Sequence, residues 1–493
     1  MTALAADGIV PESQSRAHRV ETEQLGMVRA VAIRPAETDE AVLLLKLGIN
    51  PFHHGTLGMI RGLGRAGVPV FAVMEDAASP AGWSRYLRGR YLWTPDLRDT
   101  GTVLRDLVGI TRSIGGRPVL IPTDDAGAIL VAEHADRLAP YFRLPRQPRD
   151  LPRRLSSKAG LGDICRGLGI ATPAAQYHDT VKDLATVAGE LTYPVVVKVA
   201  NPHEAGEAGT LPSTTIVTGA AQLRDLSSRC APRRGPAVVV QEYLPPEHCE
   251  DWFFHGCVGD GEGGGEAAFR LSFTGRKIRS FPPTAGLTSL GRAWDNPDVR
   301  RIAEDFLSAV GYRGIVDLDL RLDRRTNAYH LLDANPRPGA QFAMARRSDG
   351  VDAAVALYRE LTGHPVPPQV AQSRDHGLCV ENYDALSVVW LFLHGQLTPA
   401  AWLRSMRAGP VEWAWFARDD LAPGLLMCIR YSLHLLRRRL LRRGVPRGRH
   451  VRPVRRDTYR WGRRRSDLRR EPRLTPRGCA RGDHHRAQRK AQR

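Results

Sequence analysis

An acid, an amide and a guanidinium stand at alternate positions, Asp333, Asn335 and Arg337, where the apolar run of "AYHLLDANPRPGAQF" gives out. Side chains of a strand alternate between faces, so these three point the same way. One edge then offers two hard-cation ligands beside a group suited to phosphate. An Asx turn stiffened by the flanking prolines is the alternative use of the same residues. Upstream, "RGIVDLDLRLD" (313–323) alternates apolar and acidic residues, the pattern of a strand with two unlike faces. The intervening "RRTN" (324–327) makes a hairpin of the two runs, in which Asp319, 14 positions before Asp333, reaches the same ion.

Three further stretches carry charge in unusual places. Lys198 interrupts the β-branched run "YPVVVKVA" (193–200), where a lysine is costly to bury unless it meets an anion. An edge lysine that snorkels to water is the other reading. Lys158 opens an amphipathic helix in "LSSKAGLGDICRGLG", and "AVVVQEYLPP" (237–246) is a strand that ends on Gln-Glu-Tyr-Leu. In "TGRKIRSFPPTAG" (274–286), Arg276, Lys277 and Arg279 form either an anion grip, with Arg279 the candidate, or a solvated charged strand.

The elements that would position these residues fall into segments. Residues 1–40 read as a flexible leader without an apolar signal-peptide core. From 41 to 150, strands at 41–48, 68–75, 90–95 and 118–125 alternate with helices at 56–67, 100–114 and 126–138, which predicts a parallel α/β domain. A literal G-x-G-x-x-G, Gly62, Gly64 and Gly67, lies inside a helix and leads into a strand. That is the reverse of the dinucleotide fingerprint's context, so the glycines are assigned to a helix end. Asp124 and Asp125 close the last strand of this domain, where α/β folds bind ligands; either could instead cap a helix.

Charge is distributed unevenly. The chain carries +19 overall, but residues 437–493 hold 23 Lys and Arg against four Asp and Glu, so the preceding 436 residues are balanced. This Arg-rich tail is expected to be disordered and able to bind polyanions, with no dedicated nucleic-acid partner. The segment 419–443 is too short in apolar residues to span a bilayer. It reads as a packed terminal helix, with weak membrane-surface contact as the alternative. Seven scattered cysteines without a CxxC pair suit a reduced, cytoplasmic setting.

Taken in order, Lys158, Lys198 in "PVVVKVA", "VQEYLP", Asp319 and Asp333 with "DANPRP" resemble the ATP-grasp superfamily, over about residues 118 to 345. The likeness is to carboxylate–amine ligases such as D-aspartate ligase and carbamoyl-phosphate-synthase-like enzymes. It implies a parallel α/β pre-ATP-grasp domain (41–150), a two-lobed ATP-grasp domain with antiparallel sheets (151–365), a C-terminal helical region (366–436) and the tail (437–493). It implies ATP and Mg²⁺, or Mn²⁺ in its place. Lys158 and Lys198 would neutralise phosphates, while Glu242, Tyr243 and Leu244 hold adenine and Glu250 the ribose. Asp319, Asp333 and Asn335 would hold the metal, Arg337 the transferring phosphoryl group, and Arg279 the carboxylate or acyl phosphate. Asp333 departs from the family's usual Glu, one methylene longer. The loop 201–215 would close as a lid, and Asp124 or Asp125 would select the amine. A homodimer is compatible with this reading. Two other classes are carried beside it: a nucleic-acid-binding protein acting through the tail, and an ATP-binding module without turnover.

Overall fold

The computed structural model describes residues 24–25, 28–31, 40–200, 214–229, 237–261, 265–283, 286–366, 371–374 and 376–443. They fall in one compact unit up to Arg437, with Arg438 onward a separate one.

The first sheet has six strands in the order β1-β2-β5-β4-β3-β6. β1 (Gln24–Leu25) and β2 (Val28–Val31) pair antiparallel at its edge, and β3 (Val42–Leu45), β4 (Val70–Met74), β5 (Leu87–Leu92) and β6 (Val119–Pro122) run parallel. Four consecutive buried apolar residues in β3 and five in β4 suit strands covered on both faces. Helices α1 (His54–Arg65) and α2 (Thr100–Ile114) connect them, and α3 (Asp125–Glu133) and α4 (Ala135–Leu138) follow β6, as the alternation predicts. The glycine triplet does close α1. Gly67 takes a φ of 81°, and a Cβ on Gly62 would fall on the Asp352 carboxylate.

After α5 (Leu151–Ser156) and α6 (Lys158–Leu168) comes a four-stranded antiparallel sheet, β7-β10-β8-β9, of β7 (Ala175–His178), β8 (Val195–Val199), β9 (Thr214–Val217) and β10 (Val238–Glu242). Together with α7 (Leu184–Val187) and α8 (Ala220–Arg229), it buries a core of its own built from Val195, Val197, Val217, Leu223, Val238 and Val240.

Among the described residues the third sheet has seven strands ordered β15-β14-β11-β12-β13-β16-β17, ending on β16 (Gly377–Cys379) and β17 (Val411–Trp413). β11 (Cys249–Asp260), β12 (Ala267–Phe281), β13 (Leu287–Ala293), β14 (Gly314–Asp323) and β15 (Ala328–Asn335) are antiparallel neighbours, backed by α9 (Pro297–Ala309) and α10 (Ala353–Thr362). Its inward face shares one apolar core with α1 and the first sheet, through Leu57, Ile60, Phe253, Phe273, Phe342 and Trp415.

Residues 366–436, expected as a helical region, supply strands as well. β16 (Gly377–Cys379) and β17 (Val411–Trp413) extend the third sheet, around α11 (Glu381–Leu393) and α12 (Pro399–Arg407) and before α13 (Ala422–Arg443). Arg61 of α1 fastens this region: its buried guanidinium meets Asp420 at 3.0 Å and the carbonyls of Ala414 and Trp415. Among the described residues no helix is long and apolar enough to cross a membrane.

Candidate active site

The β14–β15 hairpin forms as the alternation requires, and its register decides the site. Asp319 pairs directly with Asp333, and Asp317 with Asn335. Two carboxylates, an amide and a third carboxylate therefore share one face. On the adjoining strand β11, Phe253 stands opposite Asp319 and His255 opposite Asp317.

Three lysines from three other elements approach this face. Lys158, the first residue of α6, forms an ion pair with Asp333. Its backbone N–H donates to Ala200 O (3.2 Å), which ties the helix start to the end of β8. Lys198 lies on β8 itself, and burial first, then the neighbouring Arg321, lowers its ammonium to about 8. Burial and the charge of Lys198 likewise lower Lys158 to about 7. Lys277 of β12 lies 2.8 Å from Asp319 Oδ1. Burial alone would lower Lys277, but Asp319 holds it above its ordinary value. Burial would raise Asp319, but Lys277 brings it below the usual carboxylate range.

Arg337 stands at the centre of the arrangement. Its Nε donates to Asp125 of the first sheet's α3 (3.1 Å) and its Nη2 to Asn335 Oδ1 (3.1 Å), with Asp317 3.8 Å from Nη1. Asn335 Nδ2 donates to Asp317 Oδ2 at 3.0 Å, which turns the amide oxygen away from Asp317. Burial first, then repulsion from Asp319, raises Asp317 to about 7. The polypeptide turns tightly here: a Cβ on Gly339 would fall 2.2 Å from Asp317 Oδ2.

The residues expected at the nucleotide's other end have partners of their own. Glu242 ends β10, exposed, with its N–H donating to Ala174 O (2.8 Å). Tyr243 is half-buried and Leu244 buried, and the Leu244 carbonyl accepts from Arg321 Nη1 at 3.1 Å. Glu250 begins β11 held by two guanidinium groups, Arg324 and, at 3.2 Å, Arg276.

One expectation comes out differently, and one open alternative is decided. Arg279 does not face the site. It is buried with its guanidinium on Asp384 (2.8 Å, both oxygens) and Ser405, joining β12 to α11 and α12. The cause is a bulge: Lys277 pairs with Gly291 and Arg279 with Leu290, which are consecutive on β13. Residues two apart on β12 therefore point to opposite faces, and Lys277 takes the position expected for Arg279. Asp124 is spent as the N-cap of α3, accepting from Gly127, Leu47 and Gly48 N–H groups at 2.9, 2.8 and 2.5 Å. Asp125 is the acid that reaches the site. Of the loop 201–215, residues 201–213 lie outside the described residues.

Sequence alone left out Asp317 and the His53–His54 pair, and within the cluster of Arg276, Lys277 and Arg279 it favoured Arg279 over Lys277. The "DLD" alternation could have flagged Asp317, which shares the face of Asp319. His54, buried at the start of α1, hydrogen-bonds through Nε2 to Ala340 O (2.9 Å), so the first sheet's helix rests on the chain just after Arg337. His53 Nδ1 accepts from Thr56 N–H (3.2 Å), and burial pushes its imidazolium well below the ordinary value.

The donor set has a definite chemical character. Among the described residues no three His, Cys, Asp or Glu side chains form an all-protein metal cage. Oδ1 atoms of Asp317, Asp319 and Asp333 are nevertheless buried without a hydrogen bond of good geometry, although lysines lie close to the latter two. Two facing carboxylates and an amide fit Mg²⁺, which is bound through one or two carboxylates with the rest of its shell supplied by phosphate and water.

No protein-family model and no curated protein matches the chain by sequence. Solved structures do resemble it in fold. A biotin carboxylase–β,γ-ATP complex from Campylobacter jejuni shares 13% identity over 69% of this chain and 74% of its own, with a TM-score of 0.50. An L-amino acid ligase from Bacillus licheniformis shares 16% identity over 65% of this chain and 74% of its own, at a TM-score of 0.49. An N5-carboxyaminoimidazole synthetase from Staphylococcus aureus complexed with ADP shares 12% over 67% and 79%, at 0.49. At such identities the likeness is one of fold. A parallel α/β domain followed by an antiparallel sheet that carries Lys198 and a mostly antiparallel sheet that carries Asp319 and Asp333 is the ATP-grasp fold.

Proposed function

We propose that this chain is an ATP- and Mg²⁺-dependent ligase that joins a small carboxylate, an amino acid or similar acid, to an amine through an acyl phosphate. The observation that supports it most is the convergence on the β14–β15 face of Asp317, Asp319, Asp333 and Asn335 with Lys158, Lys198, Lys277 and Arg337. In this reading a polyphosphate with a hard cation exchanges these ion pairs for its own, its oxygens meeting the lysines and its metal the acids.

In this reading Lys158 and Lys198 bind the α- and β-phosphates, and the turn Glu242–Leu244 lines the adenine. Asp319, Asp333 and Asn335 would hold Mg²⁺, which would supply positive charge to offset that of the polyphosphate. Arg337 and Lys277 stabilise charge on the transferring phosphoryl group and on the acyl phosphate. A substrate carboxylate oxygen attacks the γ-phosphorus as its bond to the ADP oxygen breaks. The amine nitrogen then attacks the acyl carbon, the carbon–oxygen bond to phosphate breaks, and the nitrogen loses a proton. In the same reading Asp125, which accepts from Arg337 Nε, would recognise the amine.

Phosphate release, measured over a matrix of amino acids against amines with ATP and Mg²⁺, tests the reading. It expects release that needs one member of each class together. Tight ATP binding with no release for any pair would leave an ATP-binding module without turnover.

A further inference from the structure

Helix α13 is apolar on two faces. One packs on the body: Met427 is buried, the rings of Tyr431 and His434 meet Phe52 at 5.1 and 5.9 Å, and Arg430 pairs with Asp76 at 2.6 Å. The other carries Leu425, Ile429, Leu433 and Leu436, with Leu421 just ahead of the helix, each more than half exposed. Spacings of four and three residues place them in one stripe. A surface helix ordinarily turns polar on its outer side, and this one does not.

We propose that this stripe seats α13 on an anionic membrane surface. Charge decides among the occupants an apolar stripe could have. From Leu421 to Arg443 there is no acidic residue, and residues 437–493 carry the chain's whole excess of +19. A second copy would cover the leucines but bring two such arginine-rich segments together. A nucleic acid would neutralise the arginines and leave the leucines in water. An anionic bilayer accepts both, the leucines at the acyl boundary and the arginines among the headgroups. The helix lies on the surface rather than through it, since it is not apolar enough to span.

Co-sedimentation of the full chain with vesicles tests this, using phosphatidylcholine alone and phosphatidylcholine mixed with phosphatidylglycerol. The wild type is expected to bind the mixed vesicles. The Leu425→Gln, Ile429→Gln, Leu433→Gln triple variant is expected to bind them at least about tenfold more weakly, with its unfolding transition unchanged because all three side chains are exposed. Equal binding by the triple variant would overturn the proposal, because the arginines would then act alone. A wild type that ignores vesicles would overturn it as well, including one whose dimer the triple variant splits. Amide hydrogen exchange of the wild type gives a readout independent of any variant. Protection of 422–436 on mixed vesicles is expected, and unchanged exchange there contradicts the proposal.

Discussion

Asp333 carries two duties in this site: it faces Asp319 across the hairpin and takes the charge of Lys158. Asp333→Asn keeps its shape and removes its charge. Turnover is expected to fall on the order of a hundredfold, with part recovered at high Mg²⁺, while ATP binding persists through the lysines. A titration of turnover against Mg²⁺ checks it; wild-type rates throughout would return the stretch to an ordinary turn. Lys198 yields a prediction about pH. Its ammonium, lowered to about 8 in the free protein, rises again beside phosphate. ATP binding should therefore take up protons near pH 8 and weaken above it. Calorimetry in buffers of different ionisation enthalpy measures the uptake, and Lys198→Met should remove its share. At this scale Lys158, Lys198, Asp319, Asp333, Asn335 and Arg337 were legible in the sequence, because strand alternation and an out-of-place charge are local signals. Asp317 was equally visible and was passed over for its neighbour.

At the scale of elements, one irregularity decided the main error. Strand periodicity puts Lys277 and Arg279 on one face; the bulge between them divides the pair between Asp319 and α11. No spacing in "TGRKIRSF" announces that bulge, which belongs to the pairing with β13. Lys277→Ala is accordingly expected to lower turnover at least about tenfold with stability little changed, and Arg279→Ala to act on stability. Steady-state kinetics and urea unfolding of both variants separate the roles; the reverse assignment would contradict the register. The parallel α/β segment was legible because its strands are continuous apolar runs and its longer helices show a period. β16 and β17, three residues each, are too short to show one and owe their strand form to the edge of a sheet built much earlier in the chain. The latch that holds this region, Arg61 to Asp420, joins residues far apart in sequence and was not legible at all. Asp420→Ala leaves a buried guanidinium without its partner, and urea unfolding should register a loss of about 3–5 kcal/mol.

For the whole molecule, the Arg-rich segment begins at residue 437, where the compact unit also ends, whereas residues 1–40, expected as a flexible leader, supply β1 and β2 at the edge of the first sheet. The first and third sheets share a core, whereas the second keeps its own. Lys198 on the second sheet therefore belongs to a separately packed lobe from Asp319 and Asp333. Ending the chain at residue 443 should leave turnover on soluble substrates within about twofold, since the body is neutral and the excess charge lies beyond it. Loss of turnover in a folded protein of that length would bring the tail into the mechanism. The central claim concerns an oxygen atom. If the β14–β15 face activates a carboxylate as its acyl phosphate, an acid labelled with ¹⁸O in its carboxylate must pass one labelled oxygen to the phosphate released. Mass spectrometry of that phosphate after turnover with the accepted acid, an amine and Mg²⁺-ATP measures the transfer. One ¹⁸O per phosphate is the predicted result, and unlabelled phosphate from a fully labelled acid would contradict it.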